Sequence, residues 1–462
     1  MLSLLNTPLN STKLPLNICR LKSTLKNTLQ MPKYVSPQQA VSTVKNGDHI
    51  YCHSISANPQ RLISALVDRA PELSNVKLYH IHMDGPTPYA DPKHAGTFFV
   101  NNHFIGGTTR KTVDKGYGSY IPCFLSEIPK LYYQGVIRPD YCFLNLSPPD
   151  KHGYCSLGVD TTVALSAARM AKKVIAQINP NMPRALGDCF VHLNDIDLLV
   201  ESDDPLPEFL PGKVGETEKK IGKHLAEIID DGATLQMGFG AIPDTVLNCL
   251  HNHKDLGVHT EMFAEGVIDL VEEGVITNKL KNFQPGFISA TFVMGSNRMY
   301  NFLDDNPGIY MQDCMITNDP RVISQNPKVT AINSAIEVDI TGQVCSDSIG
   351  LRMYSGVGGQ RDFEAGAAMS KGGKPIITLP SITKRGQSRI VNFLKPGAGV
   401  VTSRHTVHYI ATEYGVVNIF GKNLHERARL LISIAHPSHR ERLAREASER
   451  WNTLIDWEKK YY

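Results

Sequence analysis

Short apolar runs alternate with helical patterns along this chain, and the same succession occurs twice. In segments 47–59 and 232–243, an apolar strand pattern is followed by a loop of small residues and then by a proline that opens a helix. Proline is well tolerated there because its missing N–H would be unpaired in any case. The apolar spacing predicts helices over 61–66 and 245–250, followed by strands over 76–83 and 258–263.

Two further pairs of segments repeat in the same order. Segment 150–156 is similar to 339–346, each after an apolar strand, and segment 167–180 is similar to 367–380. Three ordered matches indicate a duplication. Because strands alternate with helices in both copies, the sequence predicts an α/β protein of two tandem open-sheet domains, with parallel strands flanked by helices.

A proline-rich segment separates the two copies. Three of the seven residues in 205–211 are proline, and Gly212 and Gly215 follow closely. Proline removes a backbone donor and disfavours helix before it, so this segment is predicted to be a linker. The predicted organisation is a leader over 1–32, an N-terminal domain over 34–204 and a C-terminal domain over 216–462.

The loops at the predicted strand ends differ between the copies. The second copy has Gly238-Phe239-Gly240 where the first has 53–56, and glycines in 356–360 where the first has 158–162. Ligands of open α/β sheets bind at the carboxyl ends of the strands. Glycine lets backbone N–H groups approach a ligand closely. We therefore expect the second copy to carry the chemistry.

Charge is distributed unevenly along the chain. The first acidic residue is Asp48, and the first thirty residues carry four bases, Lys13, Arg20, Lys22 and Lys26, among Leu, Ser, Thr and Asn. This composition is typical of a mitochondrial transit peptide, with a disordered tail of accidental bias as the alternative. Removing those four of the 48 bases leaves 44 against 45 acids, so the basic excess does not indicate nucleic-acid binding.

Several classes of protein are disfavoured by the sequence. The nine cysteines include no C-x-x-C pair, which disfavours zinc ribbons and disulfide frameworks and favours buried reduced thiols. The apolar runs are far shorter than the ~18 residues of a membrane span, and no G-x-S-x-G elbow supports a serine thioesterase.

His251, His253 and His259 are close in sequence, but a solvated helix end explains the first two better than a metal site. His80 and His82 face one side of a strand and are predicted to be core or pocket wall.

Two features of the second copy are candidates for chemistry. The loop from Gly238 to Gly240 follows a strand and precedes a helix, which is the setting of a phosphate or oxyanion site, although a tight turn is the simpler explanation. Pro243 stands where a dinucleotide fingerprint has its third glycine. Glu261, at the end of a predicted strand, could be a base, a ligand, a nucleophile or an exposed structural acid.

Four ordered motifs make the second copy recognisable: Gly-x-Gly-Ala-Ile-Pro at 238–243, His-Thr-Glu-Met at 259–262, Tyr-Ser-Gly-Val-Gly-Gly-Gln-x-Asp-Phe at 354–363 and Thr-Lys-Arg-Gly-Gln-Ser-Arg at 383–389. Together with 120–129 in the first copy, they resemble the acetyl-CoA hydrolase/transferase family, most of all its 4-hydroxybutyrate, butyrate and acetate CoA-transferases. The resemblance covers about 34–450. It implies tandem CoA-transferase folds with the active site between the domains.

The resemblance also implies roles for individual residues. Glu261 would be the glutamate that becomes covalently attached to CoA, whereas Glu265 would only imitate the active-site motif of a related transferase class. The family's CoA contacts correspond to Gln236, Met237, Gly238, Phe239, Gly240, Ile336, Gly359 and Lys384. Relatives often carry a smaller aliphatic residue in place of Phe239, so the pocket is expected to differ in shape there. The first half is predicted to supply walls of the acid pocket through His53, Tyr120 and Pro122.

The function that the resemblance implies is CoA transfer in the mitochondrial matrix between short-chain acids, with acetate as one partner and a succinyl-type or other short acid as the second. Acyl-CoA and free carboxylic acids are the expected substrates, in a homodimer with no permanently bound cofactor, no metal, no nucleic acid and no membrane. The alternative is an acyl-CoA hydrolase on the same scaffold. A non-catalytic CoA or nucleotide sensor is disfavoured, because it would be expected to lack Glu261 or the second glycine loop.

Overall fold

The computed structural model describes residues 31–210, 212, 214–238 and 240–458. The four leader bases and Phe239 therefore lie outside the described residues. The strands of the first half are β1 (Lys33–Tyr34), β2 (His49–Cys52), β3 (Val76–His80), β4 (Phe98–Asn102), β5 (Gly118–Tyr120), β6 (Tyr141–Leu146), β7 (Tyr154–Ser156), β8 (Lys173–Ile178), β9 (Phe190–His192) and β10 (Leu198–Glu201). Its helices are α1 (Pro37–Val41), α2 (Gln60–Asp68), α3 (Arg110–Lys115), α4 (Ile128–Tyr133) and α5 (Ala164–Met170).

The second half begins with α6 and ends with the longest helix. Its strands are β11 (Thr234–Met237), β12 (Gly257–Val258), β13 (Met262–Phe263), β14 (Ile288–Ala290), β15 (Phe292–Val293), β16 (Ile309–Met311), β17 (Val329–Ser334), β18 (Glu337–Asp339), β19 (Val344–Cys345), β20 (Ser348–Ile349), β21 (Arg352–Met353), β22 (Lys374–Thr378), β23 (Ile390–Val391), β24 (Tyr409–Thr412) and β25 (Gly415–Asn418). Its helices are α6 (Glu216–Ala226), α7 (Ala241–Leu247), α8 (Gly266–Glu272), α9 (Asn297–Leu303), α10 (Cys314–Thr317), α11 (Pro320–Ile323), α12 (Gln360–Met369), α13 (Leu424–Ser433) and α14 (Pro437–Trp451).

Each half contains one large sheet. The first has the order β1-β10-β8-β6-β2-β3-β4-β5 and is parallel throughout. The second has the order β12-β11-β17-β22-β24-β25 and is parallel except for its last pair. Strand order reverses between β2 and β6 and, equivalently, between β11 and β17, and ligand crevices of open sheets lie at such points. The prediction of two tandem α/β domains is confirmed.

The two halves share one continuous core. Buried side chains from both halves, such as Leu144 and Val159 with Leu235 and Val293, belong to the largest apolar cluster. The main chains also meet, because the N–H of Val293 donates to the carbonyl oxygen of Val159 at 3.0 Å. Groups on the two sheets can therefore be positioned against one another.

The segment predicted as one strand over 258–263 is two short strands. β12 pairs with β11 in the large sheet, whereas β13 pairs with β15 in a separate sheet. Between them, the His259 Nε2–H donates to the carbonyl oxygen of Thr317 at 2.7 Å. Thr260 Oγ1 donates to the carbonyl oxygens of Met237 and Met262. These bonds hold the chain where it changes sheet, and Glu261 lies at that change.

The two helices predicted over 61–66 and 245–250 have different bounds in the structure. The first runs from Gln60 to Asp68, and the second from Ala241 to Leu247, so it begins before Pro243 instead of at it. Proline in the first turn removes no helical hydrogen bond. In the described part of the chain, no helix has the length and apolar character needed to cross a membrane.

Candidate active site

Glu261 is fixed at the carboxyl end of the second sheet. Its main-chain carbonyl oxygen accepts hydrogen bonds from the N–H groups of Thr291 at 3.0 Å and Phe292 at 3.1 Å. Its Oε2 accepts a hydrogen bond from Asn318 Nδ2 at 3.1 Å, and the Gly359 N–H also donates to this carboxylate. Two hydrogen-bond donors therefore contact one carboxylate. The main chain of Glu261 is held in place next to the β13–β15 pair.

Gly359 is a glycine because the carboxylate leaves no room for a side chain. A Cβ built on Gly359 would lie 1.9 Å from Glu261 Oε2 and 2.3 Å from Asn318 Nδ2. The backbone φ of Gly359 is −91°, a value that any residue adopts. Close approach, and not conformational freedom, is therefore what requires glycine here.

The carboxylate has an unusual affinity for protons. Burial raises the pKa of Glu261 to about 7, while the hydrogen bond from Asn318 lowers it and the charge of Asp362 raises it. Burial also raises the pKa of Asp362 to about 7, although Asp362 accepts hydrogen bonds from Ser126 N and Oγ, both at 3.1 Å. Carboxyl groups with raised pKa values are typical of functional sites.

Glu261→Gln should make the protein more stable at pH 8. Because the pKa of Glu261 is about 7 in the fold and 4.5 is its ordinary value, the folded state binds more protons between these values, and this group's stabilisation falls as pH rises through that range. The neutral amide avoids this loss, so the melting temperature should rise by a few degrees at pH 8. The gain should disappear at pH 4. An unchanged melting temperature at pH 8 would contradict the burial argument.

The first half holds the second glycine loop, residues 356–360, in place. The Val357 N–H donates to Tyr120 Oη at 3.0 Å, and the Leu125 N–H donates to the Gly358 carbonyl oxygen at 3.2 Å. A Cβ on Gly356 or Gly358 would lie 3.0 or 3.3 Å from the ring of Phe104. The loop that touches Glu261 is therefore positioned by side chains and main chain of the other domain.

The predicted CoA contacts lie at the carboxyl ends of neighbouring strands of the second sheet. Gln236, Met237, Gly238 and Gly240 end or follow β11, Ile336 follows β17, Lys384 follows β22, and Gly359 precedes α12. A Cβ on Gly238 or Gly240 would meet no atom within 4 Å, so this loop borders open space. The Gln236 amide accepts from Asn333 Nδ2 at 3.0 Å inside the sheet, whereas Lys384 is exposed on a turn. Their role in binding CoA stays a prediction.

The residues proposed for the acid pocket have different surroundings. His53 is fully buried, and its Nε2–H donates to the Asp160 carbonyl oxygen at 2.7 Å. Tyr120 contacts the glycine loop, and Pro122 is exposed. Their role in the acid pocket stays a prediction.

Three residues near the site are not singled out in the sequence analysis, although Ser126 lies in segment 120–129 and Ile55 in segment 53–56. Asn318 follows the short helix α10, 57 residues from Glu261, and Ser126 lies in the other domain. Ile55 packs against Met262 and Phe292 with a φ of +58°, three residues after β2, as Gly240 with a φ of +118° comes three residues after β11. A β-branched residue with positive φ is an outlier, and such outliers concentrate at functional sites.

The remaining candidates have other contacts. Glu265 Oε1 accepts hydrogen bonds from Ser296 N at 2.7 Å and from Ser296 Oγ, so its carboxylate holds the start of α9. His251 pairs with Glu273, and His253 bonds to the main chain. Within the described ranges, no group of three or more His, Cys, Asp or Glu side chains could hold a metal ion.

Comparisons with protein families agree with this architecture. The acetyl-CoA hydrolase/transferase N-terminal domain matches residues 21–211, and the C-terminal domain of the same family matches residues 295–447. A succinyl-CoA:acetate/propanoyl-CoA:succinate CoA transferase of Fasciola hepatica is 47% identical over 431 residues, covering 92% of this chain and 90% of that protein. A 4-hydroxybutyrate coenzyme A transferase of Clostridium kluyveri is 46% identical over 421 residues, covering 91% of this chain and 98% of that protein.

Solved structures show the same fold. RipA from Yersinia pestis, at 33% identity, superposes with a TM-score of 0.85 over 91% of this chain and 97% of its own. A 4-hydroxybutyrate CoA-transferase from Porphyromonas gingivalis, at 34% identity, superposes with a TM-score of 0.79 over 90% of this chain and 98% of its own. Both likenesses extend over the two halves together.

Proposed function

Because this chain belongs to the acetyl-CoA hydrolase/transferase family and is a CoA-transferase, we propose that it exchanges CoA between short-chain acids through a glutamyl-CoA thioester on Glu261. The observation that carries the proposal is the Glu261 carboxylate held by Asn318 Nδ2 and the Gly359 N–H. Acetate and a succinate-type acid are the proposed pair, supported by the name of the Fasciola hepatica relative.

The proposed chemistry exchanges one activated acyl bond for another. A Glu261 oxygen attacks the thioester carbonyl of acyl-CoA, giving a mixed anhydride and CoA thiolate. The thiolate attacks the glutamyl carbonyl carbon, the substrate acid leaves as its carboxylate, and Glu261 remains as the CoA thioester. An incoming carboxylate reverses both steps. No proton has to be removed from a weak acid, provided that Glu261 begins as the carboxylate.

Two donors are available for the negative charge that develops on the glutamyl group. Asn318 Nδ2 lies 3.1 Å from Oε2, which is also the carboxylate oxygen beside Gly359. Oε1 is then the oxygen proposed to attack, while Oε2 stays with its donors and becomes the thioester carbonyl oxygen. Such preorganised donors stabilise a tetrahedral intermediate because they need no rearrangement when charge appears.

Asn318→Leu should lower kcat for CoA transfer by roughly 100-fold or more, because one donor to the developing oxyanion is lost. The leucine side chain has a similar shape, and the main-chain bond from Asn318 N to the Cys314 carbonyl oxygen at 2.9 Å is kept. Steady-state kinetics with acyl-CoA and acetate measure the change. A variant with wild-type kcat would show that the amide does not act on the reacting carbonyl.

The rate of glutamyl-CoA formation should fall as pH drops below about 7, because the protonated Glu261 carboxyl is not a nucleophile. Asp362→Asn removes the negative charge that raises the pKa of Glu261, and it keeps an acceptor for Ser126. Because Asp362 itself has a pKa of about 7 and is only partly charged on the acid limb, that limb of the kcat/KM profile should move to lower pH by about half a unit at most. An acid limb that stays in place or moves to higher pH would contradict the claim that the charge of Asp362 raises the pKa of Glu261.

Transfer and hydrolysis are separated by one assay. CoA release from acetyl-CoA is followed with and without a panel of acceptor acids, using the chain without residues 1–32. Release that needs an acceptor acid, with formation of the acceptor's CoA ester, supports transfer. Equal release without any acid, with no new CoA ester, would support hydrolysis, in which water takes the thioester.

The proposal includes a location and an assembly. The acid-free, basic segment before Asp48 supports import into the mitochondrial matrix, and uptake by isolated mitochondria with and without residues 1–32 tests it. The homodimer rests on family resemblance alone, and analytical ultracentrifugation tests it.

A further inference from the structure

His259 lies two residues before Glu261 and is only 1% exposed. Both ring nitrogens have partners in other segments of the second half. Nε2 lies 2.7 Å from the carbonyl oxygen of Thr317, and Nδ1 lies 3.3 Å from Asn326 Nδ2. A buried imidazole with two such bonds can fix those segments relative to the strand that carries Glu261.

The two neighbours leave the ring one arrangement of its proton. A carbonyl oxygen only accepts, so Nε2 carries the proton. Asn326 Oδ1 accepts from the N–H groups of Asn282 at 3.1 Å and Phe283 at 3.0 Å, so the Nδ2 group of this amide faces the ring as a donor and Nδ1 accepts. Burial lowers the pKa of His259 to about 3. The imidazole is therefore a neutral donor at neutral pH.

The bond from Nε2 closes a ring that contains the reacting carboxylate. Thr317 ends α10 and precedes Asn318, whose Nδ2 donates to Glu261 Oε2 at 3.1 Å. Four residues are too few to hold a helix by themselves, and the last carbonyl groups of a helix have no partner inside it. The imidazole supplies that partner, so it sets where α10 ends and where the amide of Asn318 begins.

The ring of His259 also packs against two aromatic side chains. Its centroid lies 5.6 Å from that of Phe283 and 6.2 Å from that of Phe363. Phe363 lies in α12, and its N–H donates to the Gly359 carbonyl oxygen at 3.0 Å. A phenylalanine in place of His259 would keep these ring contacts, so the bond to Thr317 can be removed without disturbing the element that carries Gly359.

The main chain at His259 has bonds of its own. The His259 N–H donates to the Leu235 carbonyl oxygen at 3.1 Å, and the Thr260 N–H donates to the Ser289 carbonyl oxygen at 2.9 Å. Thr260 Oγ1 adds its two bonds to carbonyl oxygens. Loss of the imidazole bond should therefore leave this strand in place and release the end of α10.

We propose that His259 is a positioning residue for CoA transfer, which holds Asn318 at hydrogen-bond distance from Glu261 through its bond to the end of α10. The role rests on the proposed function, because the Asn318 amide acts on a glutamyl carbonyl only if Glu261 reacts. A misplacement of about 1 Å can lower a rate by about 100-fold. Because Asn318 is displaced and not removed, the loss should be smaller than that of Asn318→Leu.

Two variants separate the donor from the packing of the ring. His259→Phe keeps the ring and removes the Nε2 donor, whereas His259→Gln removes the ring and places an amide N–H where Nε2 lies. We expect His259→Phe to lower kcat by about tenfold to 100-fold without raising KM for acyl-CoA. His259→Gln should restore most of this loss. If packing were the whole role of His259, His259→Phe would be the more active of the two.

A second pair of measurements shows whether the loss passes through Asn318. In the Asn318→Leu background, His259→Phe should lower kcat by less than about twofold, because the amide that it displaces is already gone. His103→Phe is the matched control, since His103 is also 1% exposed and its Nε2 bonds to Tyr132 Oη at 2.9 Å in the first half. It should lower the melting temperature and keep wild-type kcat.

Equal kcat for wild type and His259→Phe, or equal losses in the two backgrounds, would overturn the role of His259 while a thioester label on Glu261 still supports the proposed function. A wild type that forms no label on Glu261 would overturn the proposed function, and this role with it. If His259→Phe fails to fold, His259→Asn replaces it, because the shorter amide lies where Nδ1 does and reaches Asn326 but not Thr317. Equal kcat for His259→Asn and His259→Gln would then overturn the role.

Discussion

Incubation with acyl-CoA alone, before any acceptor acid is added, should leave CoA attached to Glu261 as a thioester. The proposed chemistry ends its first half at this species, in which the glutamyl carbonyl lies beside Asn318 and Gly359. Peptide mass mapping should place the added mass on the segment 255–265. Borohydride reduces thioesters, so it should inactivate the enzyme only when acyl-CoA is present.

Variants at two glutamates four residues apart decide where the label is. Glu261→Gln and Glu261→Ala should abolish both the label and transfer, a loss of about 10⁴-fold or more in kcat, because a neutral amide or a methyl group cannot attack the thioester. Glu265→Gln is the matched control, since its oxygen can still accept from Ser296 N, and it should label normally. A label on Glu265, or CoA exchange by Glu261→Ala near the wild-type rate, would contradict the mechanism.

The tandem α/β fold could be predicted because its signals are local. Strand, small-residue loop and proline recur at 47–59 and 232–243, and the structure places β2 and β11 at equivalent positions beside the reversal of strand order. Glu261 was singled out by a strand end and by family resemblance, and the structure places its carboxylate against Gly359. The prediction of the fold and the prediction of Glu261 both rest on patterns formed by residues that are close together in the sequence or belong to one family motif.

The supporting contacts could not be predicted because they join distant segments. Asn318 reaches Glu261 across 57 residues and follows a helix of four residues, which has no distinctive pattern. Tyr120 and Leu125 meet the second glycine loop, and Ser126 meets Asp362, across more than 230 positions, and only the docking of the two halves brings them there. The same limit explains why the sequence predicts one strand over 258–263 where the structure has two. Side-chain bonds from His259 and Thr260 to carbonyl oxygens divide the segment.

Gly359→Ala should abolish CoA transfer while leaving the fold intact, with a loss of about 10³-fold or more in kcat. The backbone φ of −91° accepts alanine without strain, so the substitution acts only through the added methyl group. That methyl group would lie 1.9 Å from Glu261 Oε2 and 2.3 Å from Asn318 Nδ2. The carboxylate, the amide or the loop must move, and each movement separates the Glu261 carboxylate from its donors.

Substitutions at two other glycines show whether the loss of kcat in Gly359→Ala comes from the contact of its methyl group with Glu261 and Asn318. Gly107→Ala is the control for the substitution itself, because a Cβ there would meet no atom within 4 Å, and it should keep wild-type kcat and melting temperature. Gly238→Ala also has free space, but its loop is predicted to contact CoA, so it should raise KM for acyl-CoA more than it lowers kcat. The thioester label separates the steps: Gly359→Ala should form little of it, and Gly238→Ala should form it at saturating acyl-CoA. If Gly359→Ala labels and turns over like the wild type, Glu261 does not react from the position that the structure shows.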